Sequence, residues 1–112
     1  MKRAMADLAC EYWKLLRAFE RSAGAAPEDA RTRLAAQARY AGEKLDSILR
    51  GEGLRLVAFD GQRFEVNLPA VAVNAEDFLG DQDTLVERTL EPAIVSDEGV
   101  LVMGKVFLAS AR

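Results

Sequence analysis

Any chemistry in this chain would have to come from carboxylates, lysine or a single thiol, because the sequence contains no histidine. That absence removes the commonest general base, the commonest metal ligand and the usual pH switch together. The densest polar cluster is Glu76-Asp77-Phe78-Leu79-Gly80-Asp81-Gln82-Asp83. Asp81 and Asp83 alternate like the first ligands of a calcium-binding loop. Such a loop needs a glycine at its sixth place and a glutamate at its end, and Val86 and Pro92 stand there instead. Asp77 and Asp81 are the pair an acid–base enzyme would use, but a solvated acidic loop explains them more simply. Cys10 lies inside a helical pattern, with Glu11 beside it and Lys14 one turn on. Without a histidine to activate it, the thiol reads as a small hydrophobe.

Nor do the glycines offer phosphate chemistry. Gly51-Glu52-Gly53 and the run from Gly99 to Gly104 lack the spacing and the following Lys-Ser/Thr of a phosphate loop. Glu65, Glu87 and Glu91 fall in expected strands, where surface solvation accounts for them. Trp13, Tyr12 and Tyr40 fall on helices and read as core or interface aromatics. The residues therefore point to a protein that is not an enzyme and carries no metal or cofactor.

Composition narrows the partners. The 112 residues carry a net charge of −3, with 50% hydrophobic and 29% charged residues. That balance fits one folded unit. It argues against nucleic acid, whose binding rests on clustered positive charge. Arg31, Arg33, Arg39 and Lys44 do share one helix, but Glu28, Asp29, Glu43 and Asp46 balance them. One cysteine excludes an internal disulfide. No apolar run approaches the roughly 20 residues that span a bilayer, and the first residues lack an apolar signal core. A cytoplasmic protein with no membrane partner is the expectation.

Two helices must position these residues. Met1, Met5, Leu8, Tyr12, Leu15 and Phe19 recur at alternating fours and threes, and so do Leu34, Ala38, Ala41, Leu45 and Ile48. Each set falls on one helix face in the pattern of helix-on-helix packing. The first helix is expected to run to about Arg21, with Trp13 and Leu16 widening its stripe. Pro27 suits the first turn of the second, and Glu28 and Asp29 complement its dipole. Arg50 should end it, with Gly51 as the left-handed stop and Gly53 behind.

From Leu54 the period changes to that of strands. Leu54 to Phe59 and Arg63 to Leu68 flank Asp60-Gly61, a hairpin-turn dipeptide, and are expected to pair. Pro69 should end that strand, with Val71 and Val73 extending it after a bulge. Asn74 to Asp83 reads as a loop and Thr84 to Leu90 as a strand. Pro92 to Val95 and Val100 to Met103 form a second hairpin around Ser96 to Gly99, and Lys105 to Leu108 is a last strand. The fold class is α+β: a helical hairpin over residues 1–51, then a small, mainly antiparallel β domain over 52–112.

Two helices of this length cannot bury both stripes against each other and also cover Trp13 and Leu16. Pairing two hairpins into a four-helix bundle resolves this, and Ala38 and Ala41 would allow close approach. The expected dimer interface is Leu8, Tyr12, Leu15, Phe19, Leu34, Ala38, Ala41, Leu45 and Ile48.

The order of elements, from about Leu8 to Ala109, resembles the GrpE family of dimeric nucleotide-exchange co-chaperones. That family carries Leu-x-Arg-Ala-hydrophobic in its first bundle helix, and Leu15-Leu16-Arg17-Ala18-Phe19 fits, with Trp13 where the family has Asp. Gly53-Leu54 matches the Gly-hydrophobic entry to the first strand. The family's Phe-Asp-Pro-Asn-hydrophobic-His-Glu-Ala stretch is similar to Phe64-Glu65-Val66-Asn67-Leu68-Pro69-Ala70, which lacks the Pro and the His and is one residue shorter. Near the end, Leu101 to Leu108 keeps the hydrophobic frame of the family's Leu-Arg-Pro-Ala-x-Val-x-Val, with Val102 for Arg, Met103 for Pro and Gly104 for Ala. Pro92-Ala93 stands where the family has Gly-Tyr, and the family's long leading helix is expected to be absent unless the first few residues are its remnant.

The resemblance implies a shortened homodimeric co-chaperone that promotes nucleotide exchange on a DnaK-type or related actin-like ATPase through its β domain. Exposed polar residues of that domain would then make the contacts: Arg55, Asp60, Arg63, Glu65, Glu87 and Asp97. The alternative is a homodimeric structural or adaptor protein whose helical face, with Trp13 and Leu16, meets a larger assembly.

Overall fold

Residues 2–78 and 83–110 are described by the computed structural model. Helix α1 spans Lys2–Gly24 and α2 spans Glu28–Gly51. Both outrun their expected ends. The α1 interior holds no glycine or proline, and bonds from Ala25 N–H to the Ser22 carbonyl and from Ala26 N–H to the Ala23 carbonyl tighten its end. Pro27 sits one place before α2 rather than in its first turn; its extended backbone (ψ 149°) turns the chain, and its carbonyl accepts the first helical bonds, from Ala30 and Arg31. At the far end Gly51 is still helical. Gly53, at φ 72°, is the left-handed residue that stops the helix, where any side chain would be strained.

Six strands follow: β1 Leu54–Val57, β2 Ala70–Ala72, β3 Thr84–Glu91, β4 Ala93–Ser96, β5 Gly99–Val102 and β6 Gly104–Ser110. They form two three-stranded sheets, ordered β1-β4-β5 and β2-β6-β3, so the α+β architecture read from the sequence is present. The chain changes sheet three times: over the long connection between β1 and β2, between β3 and β4 at buried Pro92, and between β5 and β6 at Met103. Proline has no N–H to lose from a ladder, which suits it to that corner.

The first expected hairpin is corrected. β1 does not pair with Arg63 to Leu68; it pairs antiparallel with β4, Leu54 opposite Ser96 and Val57 opposite Ala93. Asp60-Gly61 does turn the chain, with Gly61 at φ 82°. The return segment then lies against the start of β3: Gly61 N–H bonds the Val86 carbonyl, Val86 N–H bonds that of Gln62, and Phe64 N–H bonds that of Thr84. Only Arg63 and Leu85 form a bridge there. Phe64 and Leu68 turn inward, whereas Val66 is fully exposed, so the alternation of this segment does not describe a strand face. Glu65 accordingly lies outside any strand. Nor does β2 extend such a strand; it runs parallel to β6. A short 3-10 helix, Ala75–Phe78, interrupts the segment expected as loop.

Two cores hold the elements. The first joins Ala6, Ala9, Cys10 and Trp13 of α1 to Leu45 and Leu49 of α2, Leu54 of β1 and Ile94 of β4. The second lies between the sheets and gathers Phe59, Ala70, Val86, Ala93, Val106 and Leu108. The change from helix to strand falls between Gly51 and Leu54, and the first core runs across it. Side chains finish the sheet edges. The Asn74 amide accepts from Leu108 N–H at 2.9 Å and donates to the Leu108 carbonyl at 3.0 Å, standing in for a further residue of β2. Arg3 donates to the Leu101 carbonyl of β5 at 3.2 Å.

Candidate functional site

The fold leaves one face of the hairpin uncovered, and that face is apolar. α1 carries two stripes. Ala6, Ala9, Cys10 and Trp13, at helical spacing, are covered by α2 and the first sheet. The stripe read from the sequence is the other one: Leu8 is 70% exposed and Leu15 73%, with Tyr12 and Phe19 each about a third exposed. On α2, Ile48 and Tyr40 are also exposed, whereas Ala38 and Leu45 are buried and Leu34 and Ala41 half-buried within the same chain. Between the helices lies a hollow of about 300 Å³, walled by Tyr12, Leu15, Leu16 and Phe19 and by Gln37, Ala38 and Ala41. Tyr12 donates to the Ala41 carbonyl at 3.0 Å and fixes one wall.

Apolar and charged side chains share the open face of the second sheet. Val71 lies opposite Lys105, and Phe107 opposite Arg88. Val71, Val73, Met103 and Phe107 are all substantially exposed. Sequence reasoning missed this face. Its signal was the run Ala70-Val71-Ala72-Val73, in which the small residues face the core and the large ones face outward.

A polar cleft of about 750 Å³ separates α1 from β3. Arg17 bridges it. The guanidinium stacks over the Trp13 ring, 4.5 Å from its centre, and lies 3.5 Å from Asp60. Partial burial works against the charge of Asp60, but hydrogen bonds from the side chain and backbone of Thr89, with the nearby Arg17 charge, outweigh it and hold the carboxyl below its usual range. Thr89 is itself buried and accepts from Phe59 N–H at 2.8 Å. Deeper along α1, Lys14 reaches Glu11 at 2.9 Å and Glu91 at 3.7 Å. Its hydrogen bond to Glu11 leads in raising the lysine pKa. Burial first, then the charge of Glu91, pushes the Cys10 thiol up and away from thiolate chemistry.

The expected partner residues are dispersed. Asp60 and Glu87 line the same cleft. Arg55 is exposed on β1, Glu65 on the segment before β2, and Asp97 at the turn between β4 and β5. Arg63 pairs with Asp83 at 2.8 Å. Trp13, partner-facing in the adaptor reading, is buried in the chain's own core. Asp77 is exposed on the 3-10 helix, and Asp81 lies outside the described residues. Among the described residues no cluster of three or more cysteine, aspartate or glutamate side chains is placed to hold a metal ion, and no helix is long and apolar enough to cross a membrane. What the surface offers chemically is apolar contact and rim charge. No family model, curated protein or solved structure matches the chain.

Proposed function

We propose that the chain is a non-catalytic co-chaperone of GrpE-like type, which binds a DnaK-type or related actin-like ATPase through its β sheets and favours nucleotide release. The observation that carries this reading is the first core, which joins both helices to the first sheet through the fully buried Leu49, Leu54 and Ile94. An exchange factor must bind the open, nucleotide-free state more tightly than the closed one. A contact surface serves that purpose if it does not bend when the partner closes against it. The first sheet is tied to the helices by packed side chains rather than by a linker, and the second core ties the second sheet to the first. The open face of the second sheet supplies apolar contact in Val71, Val73 and Phe107, and the cleft beside it supplies Asp60 and Glu87.

The test is release of a fluorescent nucleotide from a DnaK-type ATPase, followed in stopped flow with and without the protein. Acceleration is expected, and substituting Val73→Asp or Phe107→Asp, both exposed, should reduce it about tenfold or more. Unchanged release with the wild-type protein would sink the proposal. The exposed Leu8 and Leu15 favour a second reading, a homodimeric adaptor of a larger assembly. That reading expects nucleotide release to be indifferent to the protein.

A further inference from the structure

We infer that a groove beneath the C-terminal half of α1 binds a short extended peptide whose two ends carry opposite charge.

The groove has two halves. One is the polar cleft between α1 and β3. The other is a hollow of about 460 Å³ bounded by α1, α2 and β1, with an apolar floor of Leu16, Leu45, Leu56 and Ala58. Trp13, Arg17 and Glu20 line both halves, so the two meet under the same turns of α1. The packing of α1 explains the opening. The helix lies on the first sheet through Ala6, Ala9, Cys10 and Trp13, and no residue of α1 after Trp13 belongs to either core. The rest of the helix therefore overhangs the sheets. Arg17, laid on the Trp13 ring and against Asp60, is a strut beneath it.

Each half has the size of a small-ligand site. A helix with its side chains is about 10–12 Å across, which an extended chain covers in about three or four residues. A peptide of about four to six residues thus reaches from one half into the other.

The two ends of the groove differ in sign. In the α2 half, the charged groups besides Arg17 are Glu20 and Asp46. In the β3 half, Lys14, Arg17, Arg21 and Arg88 stand with Glu20, Asp60 and Glu87. Several of these are already matched. Lys14 reaches Glu11 and Glu91, and Arg17 reaches Asp60. Glu20, Arg21, Asp46, Glu87 and Arg88 are all exposed and, among the described residues, in no ion pair. Glu87 offsets one of the two free guanidiniums. That leaves the β3 half positive, while Asp46 and Glu20 leave the α2 half negative. A basic residue at one end of the peptide answers Asp46 and Glu20, and an apolar neighbour fits the floor beside Leu16 and Leu56. An acidic residue at the other end meets Arg21 and Arg88, whose planar guanidinium groups take a carboxylate through paired hydrogen bonds. Like charges at both ends would set one end against its own sign.

The site is independent of nucleotide exchange, and its test contains no ATPase. The full chain is titrated to millimolar concentration with four end-blocked pentapeptides while its amide chemical shifts are followed. The probes are Lys-Leu-Gly-Ser-Glu, the reverse sequence, and two versions with Lys or with Glu at both ends. At least one bipolar peptide is expected to move the amides of Leu56 and Ala58 together with those of Thr89 and Leu90. It should bind about tenfold or more tighter than either like-charged peptide. Asp46→Lys and Arg88→Glu, at exposed residues in opposite halves, should each weaken it about tenfold and leave the circular dichroism unchanged. Glu98→Lys, at the turn between β4 and β5 and outside the groove, should leave binding unaltered. Equal affinity for bipolar and like-charged peptides overturns the proposal. So do shifts confined to one half of the groove, or no shift with any of the four peptides.

Discussion

Gly104 shows how much one missing atom can decide. A Cβ there would meet the Phe59 ring at 2.9 Å, the Glu91 carbonyl oxygen at 3.0 Å and Ala93 N at 3.2 Å. Two of those neighbours are backbone and cannot rotate away. Gly104→Ala should therefore destabilise the protein by about 1–3 kcal/mol, read as a lower urea midpoint with an unchanged slope. Asp60 makes a second residue-scale prediction. Its pKa is depressed in the folded state, so its contribution is present above the ordinary carboxylate pKa and is lost as pH falls through the folded value. Asp60→Asn should lower the midpoint at neutral pH and flatten its decline toward acid; an acid limb as steep as the wild type's would refute the assignment. Neither residue's role announced itself in the sequence. Asp60 read as the first half of a turn and as an exposed partner contact, because its partners Arg17 and Thr89 lie far along the chain. Gly104 read as a small residue in a hydrophobic frame, because the crowding comes from a corner where two sheets meet.

At the scale of elements, the helices were legible nearly to their ends and the second hairpin almost residue by residue, since both follow from local periodicity and local turn chemistry. The first hairpin failed for a definite reason. Asp60-Gly61 sets a turn but does not choose a partner, and β4 offered Leu54 and Leu56 a register that places them in the first core beside α2. The remaining segment kept its apolar residues by sending Phe64 and Leu68 inward without strand pairing. α1 misled in a different way. Its strongest stripe, Leu8 to Phe19, is the one left open, and its weaker one of alanines, Cys10 and Trp13 is the one buried. Small residues let the first sheet approach the helix closely, and Trp13 fills what they leave. Trp13 emission should accordingly be blue-shifted and poorly quenched by iodide. Arg17→Ala should raise its quenching while costing at most about 1 kcal/mol, and a red, freely quenched tryptophan in the wild-type protein would contradict this packing.

For the molecule as a whole, both open faces lie on a flat body of 46 × 38 × 16 Å. A flat body exposes more surface than a round one of the same mass, which suits a chain whose working parts are open faces and grooves rather than closed pockets. The candidate faces were half legible. The hairpin stripe was visible at once because exposure and burial share one periodicity, and only packing tells them apart. The patch on the second sheet was hidden because β2 pairs with a strand more than thirty residues away.

The first core also sets an order in time. Trp13 and Leu49 are synthesised early, yet the residues that seal them, Ile94, Leu101 and Val102, come from the last fifth of the chain. The helices can wind as they leave the ribosome, but their inner face stays open until β4 and β5 arrive. Distant contacts of this kind slow folding, since a long loop must close before any of them forms. In refolding from urea, helical circular dichroism should therefore recover before the tryptophan emission does. During synthesis, that same interval is when the nascent helices stand most in need of a chaperone themselves.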